Sequence, residues 1–207
     1  MGIAVLVLGA SGSGKSTSLR NFKKGEVCVL NVAGKPLPFR NDLDQVNNAT
    51  YETIGAALKQ HQFKSYVVDD SQYLLAFELF DRAKESGYGK FTDIAVRFRN
   101  MISYVAKGTP DDCIVYFLHH TDYDDGGRIK AKTVGKMLDN QLTVEGLFSI
   151  VLLAAASNGS YKFITNDGGS SPAKSPLDMF DREIDNDLKF VDATIRDYYN
   201  MGGNGNE

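Results

Sequence analysis

The chain has 207 residues, a formal net charge of −3, 43% apolar residues and 24% charged residues. Such a composition suits a globular domain that buries a layered core, and it excludes a disordered or membrane-embedded chain. It also argues against a protein that coats duplex nucleic acid over its whole surface, because neutralising phosphates takes clustered Lys and Arg; a local basic patch remains compatible with it.

Ile3-Ala4-Val5-Leu6-Val7-Leu8 is continuously apolar rather than alternating, the pattern of a parallel strand covered by helices on both faces. The run is too short to span a bilayer, and no basic leader or cleavage site accompanies it, so a cytoplasmic location without a membrane partner is expected. A helix is predicted from Lys15 to about Phe22, closed near Gly25, and Val27 to Val32 reads as a second strand. Residues Ala33 to Ala49 hold prolines, a glycine and several Asn and Asp, so a long turn-rich connection is expected before a helix near Tyr51 to His61.

Tyr66-Val67-Val68 reads as a buried strand ending at Asp69-Asp70, with Ser71 as N-cap of the next helix. There Tyr73, Ala76, Phe77, Phe80 and Ala83 share one face, and in the helix after it Ile94, Phe98, Met101, Ile102 and Val105 do; both stripes read as core. Cys113 to Leu118 is the next strand, followed by polar His119-His120-Thr121-Asp122 and a turn-rich Asp124-Asp125-Gly126-Gly127, where a loop or hairpin tip begins. Cys28 and Cys113 both fall in apolar runs and are expected as packed free thiols in a reducing compartment. Leu147 to Ala156 and Tyr161 to Thr165 flank an Asn-Gly pair, the mark of an antiparallel hairpin at one edge of the sheet. A last amphipathic helix carries Leu188, Val191, Ile195, Tyr198 and Tyr199 on one side. One domain over 1–200 and a flexible tail over 201–207 complete the expected organisation.

The densest chemical signal is Gly9-Ala10-Ser11-Gly12-Ser13-Gly14-Lys15-Ser16, a complete phosphate-binding loop between a buried strand and a helix start. Such a loop turns successive backbone N–H groups around a β-phosphate at the positive end of a helix, and Gly9, Gly12 and Gly14 keep it free of clashes. Gly9, Ser11, Gly12, Ser13, Gly14, Lys15, Ser16 and Thr17 are therefore the expected nucleotide-binding residues. Lys15 is expected to reach the β- and γ-phosphates, while Ser16 ligates Mg²⁺. Asp69, after its apolar strand, is the expected holder of the Mg²⁺ water shell. Asp70 is either a general base that polarises water or a helix cap. One of His119 and His120 is expected to sense the γ-phosphate from the next strand end, the other reading being an ordinary packed or solvated imidazole. From Arg128 to Lys136 the chain carries four cations and no anion. Arg128, Lys130, Lys132 and Lys136 are candidates to contact nucleic-acid phosphates or to supply a cation to ATP on a neighbouring subunit; a solvated loop balanced by nearby Asp is the bland reading.

The chain resembles the compact RecA-like ATP-binding proteins of tailed bacteriophages, a group that includes single-strand annealing and recombination proteins. The resemblance rests on the glycine loop, Leu30-Asn31-Val32-Ala33-Gly34-Lys35-Pro36-Leu37-Pro38, Val67-Val68-Asp69-Asp70, Phe117-Leu118-His119-His120-Thr121 and Ala173-Lys174-Ser175-Pro176, in that order along the chain. It implies an α/β fold of RecA-like P-loop NTPase type, with a mostly parallel central sheet, helices on both faces and an antiparallel hairpin at one edge. It further implies ATP and Mg²⁺ as cofactors, assembly into an oligomer or filament, and action on single-stranded DNA alongside phage replication or recombination proteins. Lys15, Ser16 and Asp69 match the family's nucleotide site. Asn31 departs from it, since larger RecA proteins carry a catalytic Glu at that place. A small-molecule or nucleotide kinase and an ATP-switched loader or adaptor are the alternatives; the absence of an Asn-Lys-x-Asp motif favours ATP over GTP.

Overall fold

The continuous apolar runs become the inner strands of one mixed sheet, because a strand buried on both faces needs aliphatic side chains on both sides of its pleat. The computed structural model describes residues 1–135, 142–157 and 159–201. Its strands are β1 (Ile3–Gly9), β2 (Cys28–Asn31), β3 (Asp44–Asn47), β4 (Ser65–Asp69), β5 (Ile114–Tyr123), β6 (Ile129–Ala131), β7 (Ile150–Ser157), β8 (Ser160–Ile164) and β9 (Glu183–Asp185). The helices are α1 (Tyr51–Gln60), α2 (Gln72–Asp81), α3 (Gly89–Gly108) and α4 (Leu188–Tyr198). Along the sheet the order is β3-β2-β4-β5-β1-β7-β8-β9, and β6 pairs with β5 off this path. The strands from β3 to β7 in that order pair in parallel, whereas β8, β9 and β6 are antiparallel to their neighbours. The fold is thus α/β with a mostly parallel sheet.

Alternation along β1 divides the core in two. Leu6 and Leu8 face α1, α2 and α3 through Ile54, Leu58, Leu75, Phe98 and Val105. Val5 and Val7 face the opposite layer, where Leu19, Leu188, Val191 and Ile195 pack with Phe163. Helices therefore cover both faces. Among the described residues, no helix is long and apolar enough to cross a membrane. Cys28 and Cys113 are buried free thiols, and burial pushes the Cys28 thiol up to about 11, so it stays protonated and inert.

Several elements differ from the sequence expectation, each for a local reason. The helix expected over Lys15 to Phe22 is a 3₁₀ turn, Ser16–Asn21. Three hydroxyl residues open it, and the Ser18 hydroxyl donates to the Lys15 carbonyl at 2.5 Å, a side-chain competitor for helical backbone acceptors. The connection after β2 contains β3, which pairs in parallel with β2. Ser71 stands at the N-cap position of α2 as expected, but its hydroxyl makes no capping bond; it lies 3.0 Å from the Leu118 carbonyl and 2.9 Å from His119 Nδ1.

Of that stripe, Tyr73 packs against the core, but Phe77 and Phe80 do not: α2 buries Leu74 and Leu75 instead, leaving Phe80 70% exposed. A helix apolar on more than one side has no unique buried face that periodicity can name. The α3 stripe is buried as expected. In α4, Leu188, Val191 and Ile195 are buried while Tyr198 and Tyr199 are exposed. The strand from Cys113 does not stop at Leu118; β5 runs through both histidines to Tyr123 and turns back into β6. The antiparallel pair β7–β8 forms, with β9 added outside it. Met201 packs against the core, and the rest of the expected tail, 202–207, lies outside the described residues.

Candidate functional site

In open parallel sheets, ligands bind outside the carboxyl ends of the strands where the chain's direction of travel reverses. Here that point lies between β1 and β5. From β1 the chain passes through the Leu19 layer towards β2, on one side of the sheet order; from β5 it passes through Val144 and Phe148, in the opposite layer, to β7 on the other. Gly9 at the end of β1 is in register with His120 of β5, so the glycine loop and the histidine pair meet at this crevice.

The loop from Gly9 to Ser16 needs its glycines for two separate reasons. Gly12 and Gly14 have φ of +78° and +94°, a region that side chains make costly. A Cβ on Gly14 would in addition fall 2.6 Å from the Tyr161 ring, which β8 lays against the loop. Lys15 is only 6% exposed, and its ammonium donates to the carbonyls of Gly9 and Ala10 at 2.8 and 2.9 Å. Burial lowers its pKa to about 8, against the pull of Asp70 and Asp69. The Ser13 hydroxyl is buried without a hydrogen-bond partner. A buried ammonium held only by carbonyls and an orphaned hydroxyl in one loop form a set that an anion would satisfy.

The neighbouring acids behave differently from each other. Ser16 donates to both Asp69 oxygens, at 2.9 and 3.2 Å, joining residues 53 apart in sequence. Burial and the Asp70 charge raise Asp69 to about 6, outweighing the Ser16 hydrogen bond and the nearby Lys15 charge. The pair of hydroxyl and buried carboxylate is an oxygen donor set of the kind a hard divalent cation takes. Asp70 occupies the left-handed region at φ +60°. Burial opposes its charge, yet hydrogen bonds from His120 and Lys35 hold it down to about 2. The contacts are 3.2 Å from His120 Nε2 to Oδ1 and 3.0 Å from Lys35 Nζ to Oδ2.

The two histidines, equivalent in sequence, are separated by the strand's alternation. His119 is fully buried, its Nε2 2.7 Å from the Lys132 carbonyl and its Nδ1 2.9 Å from the Ser71 hydroxyl. Nε2 must therefore carry the proton, and burial lowers the ring's pKa to about 4. With both nitrogens engaged inside the core, His119 is corrected from candidate sensor to structural residue. His120 faces the crevice on Asp70.

Two residues at this edge were not singled out as site residues in the sequence. Asn31, at the end of β2, receives the Gly34 N–H at 2.9 Å and donates to the Lys35 carbonyl at 2.6 Å. It builds the turn that carries Lys35 to Asp70, and its engaged amide has no base to offer. Lys35 also lies 5.0 Å from the centre of the Tyr73 ring. No local pattern marks Lys35; only the adjacency of β2 and β4 brings it into the site.

The basic segment folds as a hairpin arm. Ala131 is buried and Lys132 exposed, so the intervals along β6 put Lys130 and Lys132 on the side away from the core. Arg128 is exposed at the turn, whereas Lys136 lies outside the described residues. Between the glycine loop and this arm is a cavity of about 360 Å³ lined by Ser11, Gly12, Thr121, Tyr123, Ile129 and Ala155. No group of three or more His, Cys, Asp or Glu suited to a metal occurs among the described residues. A scan against protein-family models gives no match for this chain. A search of curated proteins likewise gives no significant relative.

Proposed function

We propose that this chain is a Mg²⁺-dependent ATP hydrolase of the P-loop, RecA-like kind, working as an oligomer on single-stranded DNA. The observation that carries the reading is the Ser16–Asp69 contact. It joins the glycine loop to the acid of a strand that is not its neighbour, at the one sheet edge where Lys15 also lies. The orphaned Ser13 hydroxyl and the depressed Lys15 add to it, since both gain a partner from a phosphate. Ser16 and Asp69 would hold Mg²⁺ with part of its water shell, and the ion would neutralise charge on the β- and γ-phosphates. Asp70, beside it, orients the attacking water and accepts its proton. The free-state carboxylate near 2 is a weak base, so this role requires release from its hydrogen-bond partners.

Support for a nucleic-acid partner comes from β5. One strand carries His120 at Asp70 and then continues into the arm of Arg128, Lys130 and Lys132, so a change at the phosphate end is mechanically connected to the cations. The exposed Tyr123 ring at the same arm is a surface on which a base can stack.

Phosphate release from Mg-ATP, measured with single-stranded DNA, with candidate phosphate acceptors and with neither, tests the reading. Stimulation by DNA, abolished in Lys15→Ala, is expected. Transfer to an acceptor makes the chain a kinase, and nucleotide binding without turnover makes it a switch. Release that persists in Lys15→Ala overturns the assignment of the loop.

A further inference from the structure

Among the described residues, Lys35 is a cation at the site whose position the glycine loop does not explain. We propose that Lys35 is a second phosphate-binding residue, parked on Asp70 in the nucleotide-free protein and transferred to the terminal phosphate of a bound nucleoside triphosphate. The inference rests on the reading of the glycine loop as a nucleotide site and extends it to a residue of another strand.

Three observations lead to it. First, the place is built: Asn31 is buried and fixes the turn through the Gly34 N–H and the Lys35 carbonyl, so the stem of Lys35 leaves the sheet edge at a defined point. Gly34 has φ of +66°, a backbone conformation that strains an ordinary side chain, and a Cβ there would crowd Asn48 Oδ1. Second, the ammonium end is loosely held. Its side chain is 60% exposed, and its partners are one carboxylate oxygen at 3.0 Å and the face of Tyr73. An ion pair with so exposed a member is weak, and a long flexible stem exchanges partners easily. Third, the ammonium is already at the phosphate end of the site. It lies 3.0 Å from Asp70, which directly follows Asp69, and Asp69 accepts from Ser16 of the glycine loop. A triphosphate entering this crevice brings several negative charges where Lys35 now meets one carboxylate, and charge-assisted contacts to phosphate exceed those of an exposed carboxylate pair.

Because Lys35 belongs to the same chain, the site would not need a hairpin lysine from a neighbouring subunit.

The test is the ratio of affinities for a non-hydrolysable triphosphate analogue and the matching diphosphate, by calorimetry with Mg²⁺. Lys35→Ala is expected to weaken triphosphate binding about tenfold while diphosphate binding stays within about twofold. Lys35→Arg is expected to keep most of the preference. The double variant Lys35→Ala, Asp70→Asn leaves no carboxylate stripped of its partner, and it is expected to show the same loss of preference. A merely structural Lys35 lowers both affinities together, and that result, or an unchanged ratio in both alanine variants, overturns the proposal. If the parent protein binds neither nucleotide, the loop reading fails and takes this inference with it; if the parent binds both and only the ratio is unmoved, the loop reading stands and the role of Lys35 falls.

Discussion

Asp69 and Asp192 are both buried, yet they sit in opposite electrostatic situations. Asp192 on α4 receives the Arg196 guanidinium at 2.6 Å, the Ser65 hydroxyl at 2.6 Å and the Tyr116 hydroxyl at 3.1 Å. Arg196 spends its remaining donors on the carbonyls of Asp112 and Lys64 and on Ser65. Burial followed by Asp192 drives Tyr116 far above the usual phenol range, so that hydroxyl is a permanent donor. Asp69 has only Ser16 as a side-chain partner, and burial holds its carboxyl near 6. Buried polar groups in a scaffold are satisfied, because an unmet one costs stability without return. The strand-end crevice instead holds Lys15 by carbonyls and Asp69 by a hydroxyl, and leaves the Ser13 hydroxyl without a partner. Charges held by neutral groups beside an unpaired hydroxyl form a place that a ligand could complete.

The comparison predicts stability effects on one side and ligand effects on the other. The largest is expected at Arg196→Met, which strands Asp192 in the core. Breaking a buried pair in this way costs about 3–5 kcal/mol. Denaturant unfolding measures it, and a cost below about 1 kcal/mol would mean that the α4 network is not scaffold.

Next is a pH effect at His119, a residue of the strand that ends at the crevice but one that behaves like scaffold. Its pKa falls from 6.5 to about 4 on folding, so its stabilisation is complete above 6.5 and is lost as pH falls towards 4. The shift corresponds to about 3 kcal/mol over that window. His119→Asn should flatten this part of the stability–pH curve. An unchanged slope would show that the imidazole is not buried neutral.

The smallest effect separates the site from the scaffold most sharply. Asp69→Asn should lose the Mg²⁺-dependent part of triphosphate binding, about tenfold or 1.4 kcal/mol. It should simultaneously stabilise the ligand-free protein above pH 6, because the parent's carboxyl is raised and its ionisation opposes folding there. Destabilisation by Asp69→Asn at pH 7 would place Asp69 with Asp192 and remove the contrast.

The sequence by itself determined the elements whose signal is local. The apolar run of β1 followed by Gly9 to Ser16, the strand ending at Asp69 and the single-faced stripe of α3 were legible because burial on both faces, backbone freedom and helical period are written within a few residues. The helix expected after Lys15 forms as a 3₁₀ turn, where hydroxyl side chains compete with the backbone, and the buried face of α2 is not legible where more than one side is apolar. The tertiary structure alone decided everything that depends on which strand lies beside which. Strand β5, over a hundred residues from β1 in sequence, inserts between β1 and β4, buries His119, turns His120 onto Asp70 and aims the arm of Lys130 and Lys132 past the loop. The adjacency of β2 to β4 likewise put Lys35 on Asp70. The physical reason is that strand order is fixed by the burial of whole sheet faces, a sum over distant residues that no local window of sequence contains.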